Sequence, residues 1–283
     1  MLNMIRMEMY RMFKTKCMYI IWFILAAGIL FTTGLSAEEM KIFSMEEKQE
    51  MYEYAMGKEE SDNVNLGMDV TVPTKPGENV SVFDLFYANI KGKFIALFMV
   101  FFTVLYTTAD LTSGYVKNIA GQVSQRGGLV IAKAISLFVY TVMSLLIFFL
   151  CQTLSNLLFF DEFTFGPVKQ FAAYVGIQLL LHYALLLIVM GVAIVLRNNV
   201  ISMVIAVCFC MNVLMIFYNF LDQLIVKFGI KEFHIVNYTV SGKMLMLGMD
   251  ISAKTASASI AVAIFFSAAA VAICSMIFQR RDV

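Results

Sequence analysis

Residues that could carry chemistry are few in this chain and do not gather into a familiar reactive set. There are two histidines and five cysteines. Cys208 and Cys210 form a C-x-C pair, but two positions apart on a helix they point to different faces, a poor arrangement for one metal ion. The sequence contains no H-E-x-x-H, no G-x-S-x-G, no G-x-x-x-x-G-K-[ST] and no paired carboxylates within an apolar block. Metalloprotease, serine-hydrolase and nucleotide-binding chemistries therefore lack their parts. No catalytic residue, no metal ligand set, no cofactor and no nucleic-acid partner is expected in this chain. What remains is a set of polar residues inside apolar sequence. Gln152 and Asn156 stand four apart, as do Gln178 and His182, and Asn212 stands alone. Spacing of four puts each pair on one helical face, where it can form interhelical hydrogen bonds for assembly or line a substrate path.

The elements that would hold these residues follow from composition. Of 283 residues 60% are hydrophobic and 14% charged, and the mean hydropathy is +0.80, outside the range of soluble domains. The apolar residues fall into blocks, and roughly 20 apolar residues in a helix cross a bilayer core. Six blocks are legible, at 17–36, 87–109, 130–158, 171–196, 200–221 and 257–278. The second is the least tidy, because Lys91 and Lys93 precede its continuous run from Phe94; lysine stems that snorkel to an interface would accommodate them. Backbone groups in lipid must be satisfied internally, so the blocks are helices. The expected fold is an all-α integral membrane bundle of six spans in a single permease-sized domain, 1–283. The three prolines lie outside the blocks, so no proline kink is expected.

Charge sets the orientation. With the N-terminus inside, the inner segments hold ten basic and three acidic residues, and the outer segments 11 basic and 17 acidic. Lysine and arginine resist translocation, so both termini are expected in the cytoplasm of a bacterial cell, with the bilayer as the chain's solvent. A secretory signal ending near "GLSAEE" is an alternative, but the apolar run exceeds a usual signal core. At 1–16, Met1, Leu2, Ile5, Met9, Met12 and Phe13 share one helical arc, and Asn3, Arg6, Arg11 and Lys14 the opposite one. That pattern predicts an amphipathic helix in the inner interface, the plainer reading being a positive anchor. Outside, the 37–86 loop starts acidic and helix-prone, then turns to "VNLGMDVTVPTKPGENVSVF", an extended or hairpin pattern. The 222–256 segment is too polar to span yet apolar enough to dip into the membrane.

One polar island, "ADLTSGYVKNIAGQVSQRGGLVIAKAIS", interrupts the apolar sequence from Ala109 to Ser136. Thr112 or Ser113 is a plausible N-cap, "GYVKNIA" makes about two turns, and Gly121 is a stop signal. This predicts a short cytoplasmic helix within 110–129 with Tyr115, Val116, Ile119 and Ala120 as an apolar ridge.

Asp110, Ser113, Gly114, Lys117, Asn118, Ser124, Arg126, Ala132 and Lys133 form a pattern that resembles the permease subunits of ABC transporters of the type-2 membrane family. The layout of six spans, an interfacial helix and a dipping segment before the last span is similar too. The family more often has Glu where Asp110 stands, and bulky or basic residues at Gly127 and Gly128. The resemblance implies a non-enzymatic transport subunit that works with a second permease copy or paralogue. It also implies a separate cytoplasmic ATPase, carrying ATP and Mg, that docks on the loop through Asp110, Ser113, Gly114, Tyr115, Lys117, Asn118, Ile119, Ser124 and Arg126. Under that reading Gln152, Asn156, Gln178, His182 and Asn212 are the candidate path, and a peptide-export or antimicrobial-peptide immunity subgroup fits. Between Ser36 and Tyr87 stand 12 acidic and 4 basic residues, a bias that could steer a cationic or amphipathic peptide. The rival from another class is a non-transporting sensor or scaffold whose acidic loop binds a ligand.

Overall fold

The computed structural model describes residues 1–55, 70–112, 127–211, 213–227 and 233–280. In chain order the helices are α1 (Leu2–Lys14), α2 (Lys16–Ile42), α3 (Met45–Ala55), α4 (Val82–Lys91), α5 (Phe94–Thr112), α6 (Gly127–Phe159), α7 (Val168–Leu196), α8 (Asn199–Cys210), α9 (Val213–Lys227), a 3-10 turn (Ile235–Tyr238), α10 (Val240–Met246) and α11 (Ala253–Arg280). No strand occurs among the described residues. Residues 70–80, expected to be extended or a hairpin around a Pro/Gly turn, have that turn at Lys75–Glu78, closed by a backbone bond of 3.0 Å with Gly77 at φ 85°, but no paired strands flank it among the described residues.

Four helices, α2, α6, α7 and α11, are long and apolar enough to cross a membrane, and the number reaches six if the bent pairs α4–α5 and α8–α9 each cross once. The bends are 54° and 70°. Sequence reasoning expects these two blocks to run unbroken, since neither holds a proline. The first break is a capping event instead. Gly92 N–H donates to the Ala88 carbonyl and Lys93 N–H to the Ile90 carbonyl, and Lys93 then adopts φ 58°, which ends α4 and redirects the chain. At the other end of α4, Ser81 and Asp84 form a reciprocal capping box, with Thr74 Oγ1 also donating to Asp84. That start lies five residues ahead of the expected span boundary at 87, in line with the sequence reading that Phe83 to Ile90 can extend the helix outward, and the cap sets where it begins.

Packing orders the bundle. α11 lies chiefly on α7, α2 on α6, and α5 on both α7 and α8. The Trp22 indole stacks against Tyr140 and donates to Ser144 Oγ at 2.9 Å, joining α2 to α6. Toward the opposite end, Phe83 stacks on Phe171 with ring centroids 3.8 Å apart and Phe86 packs on Phe148, so α4 wedges between α6 and α7. Large apolar side chains point outward from α11 (Phe265, Ile264, Ile273) and α8 (Val200, Val204), the faces a bilayer would cover.

Candidate functional site

Among the described residues, a buried cluster of ionisable groups sits at the α1 end of the bundle. Glu8 is 2% exposed, Asp110 4% and Lys133 7%. Arg11 Nη2 donates to Glu8 Oε2 at 3.0 Å, while Asp110 pairs with Arg11 through one oxygen and with Lys133 through the other. Lys133 Nζ is also 3.6 Å from Glu8 Oε2. Tyr106 closes the group: its hydroxyl donates to Glu8 Oε2 at 2.7 Å, and its ring lies under the Arg11 guanidinium at 4.7 Å and the Lys133 ammonium at 4.1 Å. Two carboxylates and two cations cancel, which is what makes their burial tolerable. Burial disfavours charge on Arg11, but the hydrogen bond it donates to Asp110 and the charges of Asp110 and Glu8 outweigh it and hold the guanidinium above its ordinary range.

The quartet joins three elements. Glu8 and Arg11 come from α1, Asp110 from the end of α5, and Lys133 from the second turn of α6. The segment between α5 and α6 is therefore anchored at both ends against α1. Gly128 permits the close approach, since a Cβ there would stand 2.9 Å from Met4 Cε. The expected lipid-facing arc of α1 is accordingly divided. Met12 is fully buried with Glu8, whereas Leu2 (78% exposed) and Phe13 face outward. The sequence offers Glu8 and Arg11 as charges that fix orientation, and Arg11 also as part of the polar arc of α1; a glutamate three residues before an arginine looks like an ordinary surface pair. Of the expected docking residues, Asp110 belongs to this cluster. Ser113, Gly114, Tyr115, Lys117, Asn118, Ile119, Ser124 and Arg126 lie outside the described residues, as does Asn212.

The remaining polar candidates separate into two places. Gln152 Oε1 accepts from Asn89 Nδ2 at 3.1 Å and Gln152 Nε2 donates to Thr33 Oγ1 at 3.0 Å, all three fully buried, so this amide ties α2, α4 and α6 together. Gln152→Leu leaves Asn89 and Thr33 without that partner, and a loss of about 1 kcal/mol in detergent unfolding is expected. An unchanged midpoint would mean that the tie contributes nothing. Asn156, one turn on, is fully buried with neither amide atom hydrogen-bonded. Gln178 and His182 are on α7, far from Gln152 in the chain and facing a different part of the core. Gln178 Nε2 donates to Tyr174 Oη at 3.1 Å and to the Met244 carbonyl at 3.3 Å, which fixes α10 against α7. His182 Nδ1 stands 2.8 Å from the Gln178 carbonyl.

Lys93 corrects the snorkelling expectation. It is 3% exposed at the α4–α5 break, while Lys91 alone reaches outward, to the Ala55 carbonyl. At 3% exposure the Lys93 side chain lies inside the bundle and does not reach the surface. A charge this close to an apolar run is itself a signal of an inward role.

The profile of a family described as a protein of unknown function, DUF2705, matches residues 67–283, and the chain belongs to that family. The match contains Lys93, Asp110, Lys133 and His182 and leaves α1 to α3 outside. Among curated proteins none matches this chain.

Proposed function

We propose that the chain is the permease subunit of an ATP-driven exporter of the ABC-2 type, moving an amphipathic substrate, peptide favoured, across a bacterial cytoplasmic membrane. In this reading each bent pair is one of six spans, both termini are cytoplasmic, and α1 lies at the inner interface. The single observation that carries the reading is the buried quartet. The two helices that flank the docking stretch are both clamped to α1, α5 through Asp110 and α6 through Lys133. An ATPase that pushes on that segment moves α1, α5 and α6 together, because separating them would expose unpaired charge in a dry site. Rigid-body motion of this kind is how docking is turned into alternating access.

The test is reconstitution with an ATPase encoded beside this chain. The two are expected to co-purify, and Tyr115→Ala and Arg126→Ala are expected to weaken docking by about 2 kcal/mol each, the loss typical of an aromatic or arginine anchor. Substrate-stimulated ATP hydrolysis falls with them. Failure to co-purify, or unchanged stimulated hydrolysis in both variants, overturns the reading.

A second reading has one observation in its favour. At the end opposite the quartet, a half-open pocket of about 270 Å³ is lined by Met40, Met45, Lys48, Lys75, Asn79 and Phe160. A sensor or scaffold would use it for a ligand, and would bind that ligand with the same affinity whether or not an ATPase is present.

A further inference from the structure

The α4–α5 break brings together groups that neither the quartet nor the docking segment uses. α5 is a 19-residue helix starting mid-bundle, about 25 Å along its axis from Asp110 at 1.5 Å per residue. Its first intrahelical bond runs from Leu97 N–H to the Lys93 carbonyl, so the amides of Phe94, Ile95 and Ala96 have no acceptor within the helix. Ile95 and Ala96 are fully buried. Lys93 holds a left-handed backbone at this start (φ 58°), and non-glycine residues keep such conformations where the surroundings over-determine them. Its ammonium lies within Coulombic reach of the His182 ring on α7 and of Cys210, the last residue of α8 at the second break.

His182 supplies the independent observation. It is completely buried midway along α7, and its Nε2 has no hydrogen-bond partner. The tautomer follows from the other nitrogen. The Gln178 carbonyl can only accept, so Nδ1 carries the hydrogen and Nε2 of the neutral ring is a bare lone pair. Gln178 Oε1 is likewise without a partner one turn away. A buried acceptor beside a lysine ammonium is a poor place for a cation, and among the described residues no three His, Cys, Asp or Glu side chains could hold a metal.

We propose that Lys93, His182 and the N-terminus of α5 form a binding site for the carboxyl group of an apolar molecule. A carboxylic acid satisfies every part at once. Its O–H bond breaks and an Nε2–H bond forms, so the proton stays in the site and the ring becomes an imidazolium. The carboxylate left behind accepts from Nε2–H, from the Lys93 ammonium and from the amides that begin α5, where the helix dipole is positive. Discontinuous helices that turn their N-termini on an anionic group at mid-membrane are a known solution to this problem. The neighbouring core residues Ile90, Ile95 and Leu181 are all fully buried, so the rest of the ligand must be apolar. Among the described residues, Tyr87 of α4 packs on Tyr174 of α7, whose hydroxyl accepts from Gln178 Nε2, and Cys210 of α8 lies within Coulombic reach of Lys93.

The chain holds two histidines, and His234 is exposed, so ¹⁵N-histidine NMR of the full chain in phosphatidylcholine nanodiscs reads His182 against an internal control. The His182 ring is expected to be Nδ1-protonated alone and to gain a proton at Nε2 when decanoate is added, with no change on adding decanol. Trileucine with a free C-terminus, compared with its amide, distinguishes a peptide end from a fatty acid as the source of the carboxyl group. Lys93→Met abolishes the response and Lys93→Arg retains at least half of it, with the unchanged His234 signal and unfolding midpoint reporting that each variant is folded. An Nε2-protonated ring in the ligand-free protein, a response to decanol equal to that of decanoate, silence toward both carboxylates, or a full response in Lys93→Met overturns the proposal. No ATPase enters this measurement, so its failure and that of the permease reading are separate results.

Discussion

Asp110→Asn is expected to lower the unfolding free energy of the solubilised chain by about 3–5 kcal/mol, the range for removing one partner of a buried ion pair. The variant leaves Arg11 and Lys133 facing Glu8 alone, a surplus positive charge among groups that are nearly all buried. The asparagine oxygen still accepts one hydrogen bond, so the loss is electrostatic and not a loss of volume. Glu8→Gln should be comparable and should also deprive the Tyr106 hydroxyl of its carboxylate acceptor. The decisive variant is Asp110→Asn with Lys133→Met. It removes one charge of each sign and leaves the Glu8–Arg11 pair balanced, so more than half of the lost stability returns. Thermal or denaturant unfolding of the wild type, Asp110→Asn, Lys133→Met and the double variant gives the coupling energy as a double-mutant cycle. A double variant no more stable than the sum of its parts would show that the four groups do not act as one unit. The cycle also bears on transport: if the quartet transmits docking, the rebalanced protein recovers stability without recovering stimulated ATP hydrolysis.

What the sequence disclosed and what it withheld divide along a physical line. Long apolar runs are helices because nothing else satisfies their backbone in lipid, so α6, α7 and α11 lie within four residues of the expected spans. The breaks were not legible. Gly92 and Lys93 are compatible with a continuing helix, and only the tighter turn from Lys93 N–H to the Ile90 carbonyl, with Lys93 at φ 58°, stops it there. The pairing of Asp110 with Lys133 lay within one polar island, but its link to Glu8 and Arg11 spans about 100 residues, and no local periodicity encodes a contact at that separation. The two glutamine pairs illustrate the same limit. Spacing of four put Gln152 with Asn156 and Gln178 with His182 correctly on single faces, yet could not say that Gln152 is hydrogen-bonded across three helices while the Nε2 of His182 is left bare.

Gly242→Ala should open the segment between α9 and α11, with a cost of about 1–3 kcal/mol typical of overpacking a close-fitted site. Gly242 is the third residue of α10, and its N–H donates to Thr239 Oγ1 at 3.3 Å, the cap that starts this helix. A Cβ at Gly242 would overlap the Val236 carbonyl oxygen and stand 2.7 Å from Val236 Cγ2 and 2.8 Å from Thr239 Oγ1. A side-chain end could rotate away, but a backbone carbonyl inside a 3-10 turn cannot move alone. The turn is fixed on its far side, where Ile235 N–H donates to Asp222 Oδ1 at 2.9 Å and Ser241 Oγ bonds Tyr218 Oη at 2.8 Å. Relief therefore falls on the other attachment, the contact between the Met244 carbonyl and Gln178 Nε2. Hydrogen exchange should rise across 235–247 and stay unchanged in α6, while Gly248→Ala, where an added Cβ meets nothing within 4 Å, leaves both as they were. Because Gln178 supplies the carbonyl that fixes the His182 tautomer, the His182 ring signal in Gly242→Ala tests whether the 235–247 segment holds that stretch of α7 in place. If its Nδ1–H tautomer survives a fully exchanged 235–247 segment, the ring is positioned by α7 alone.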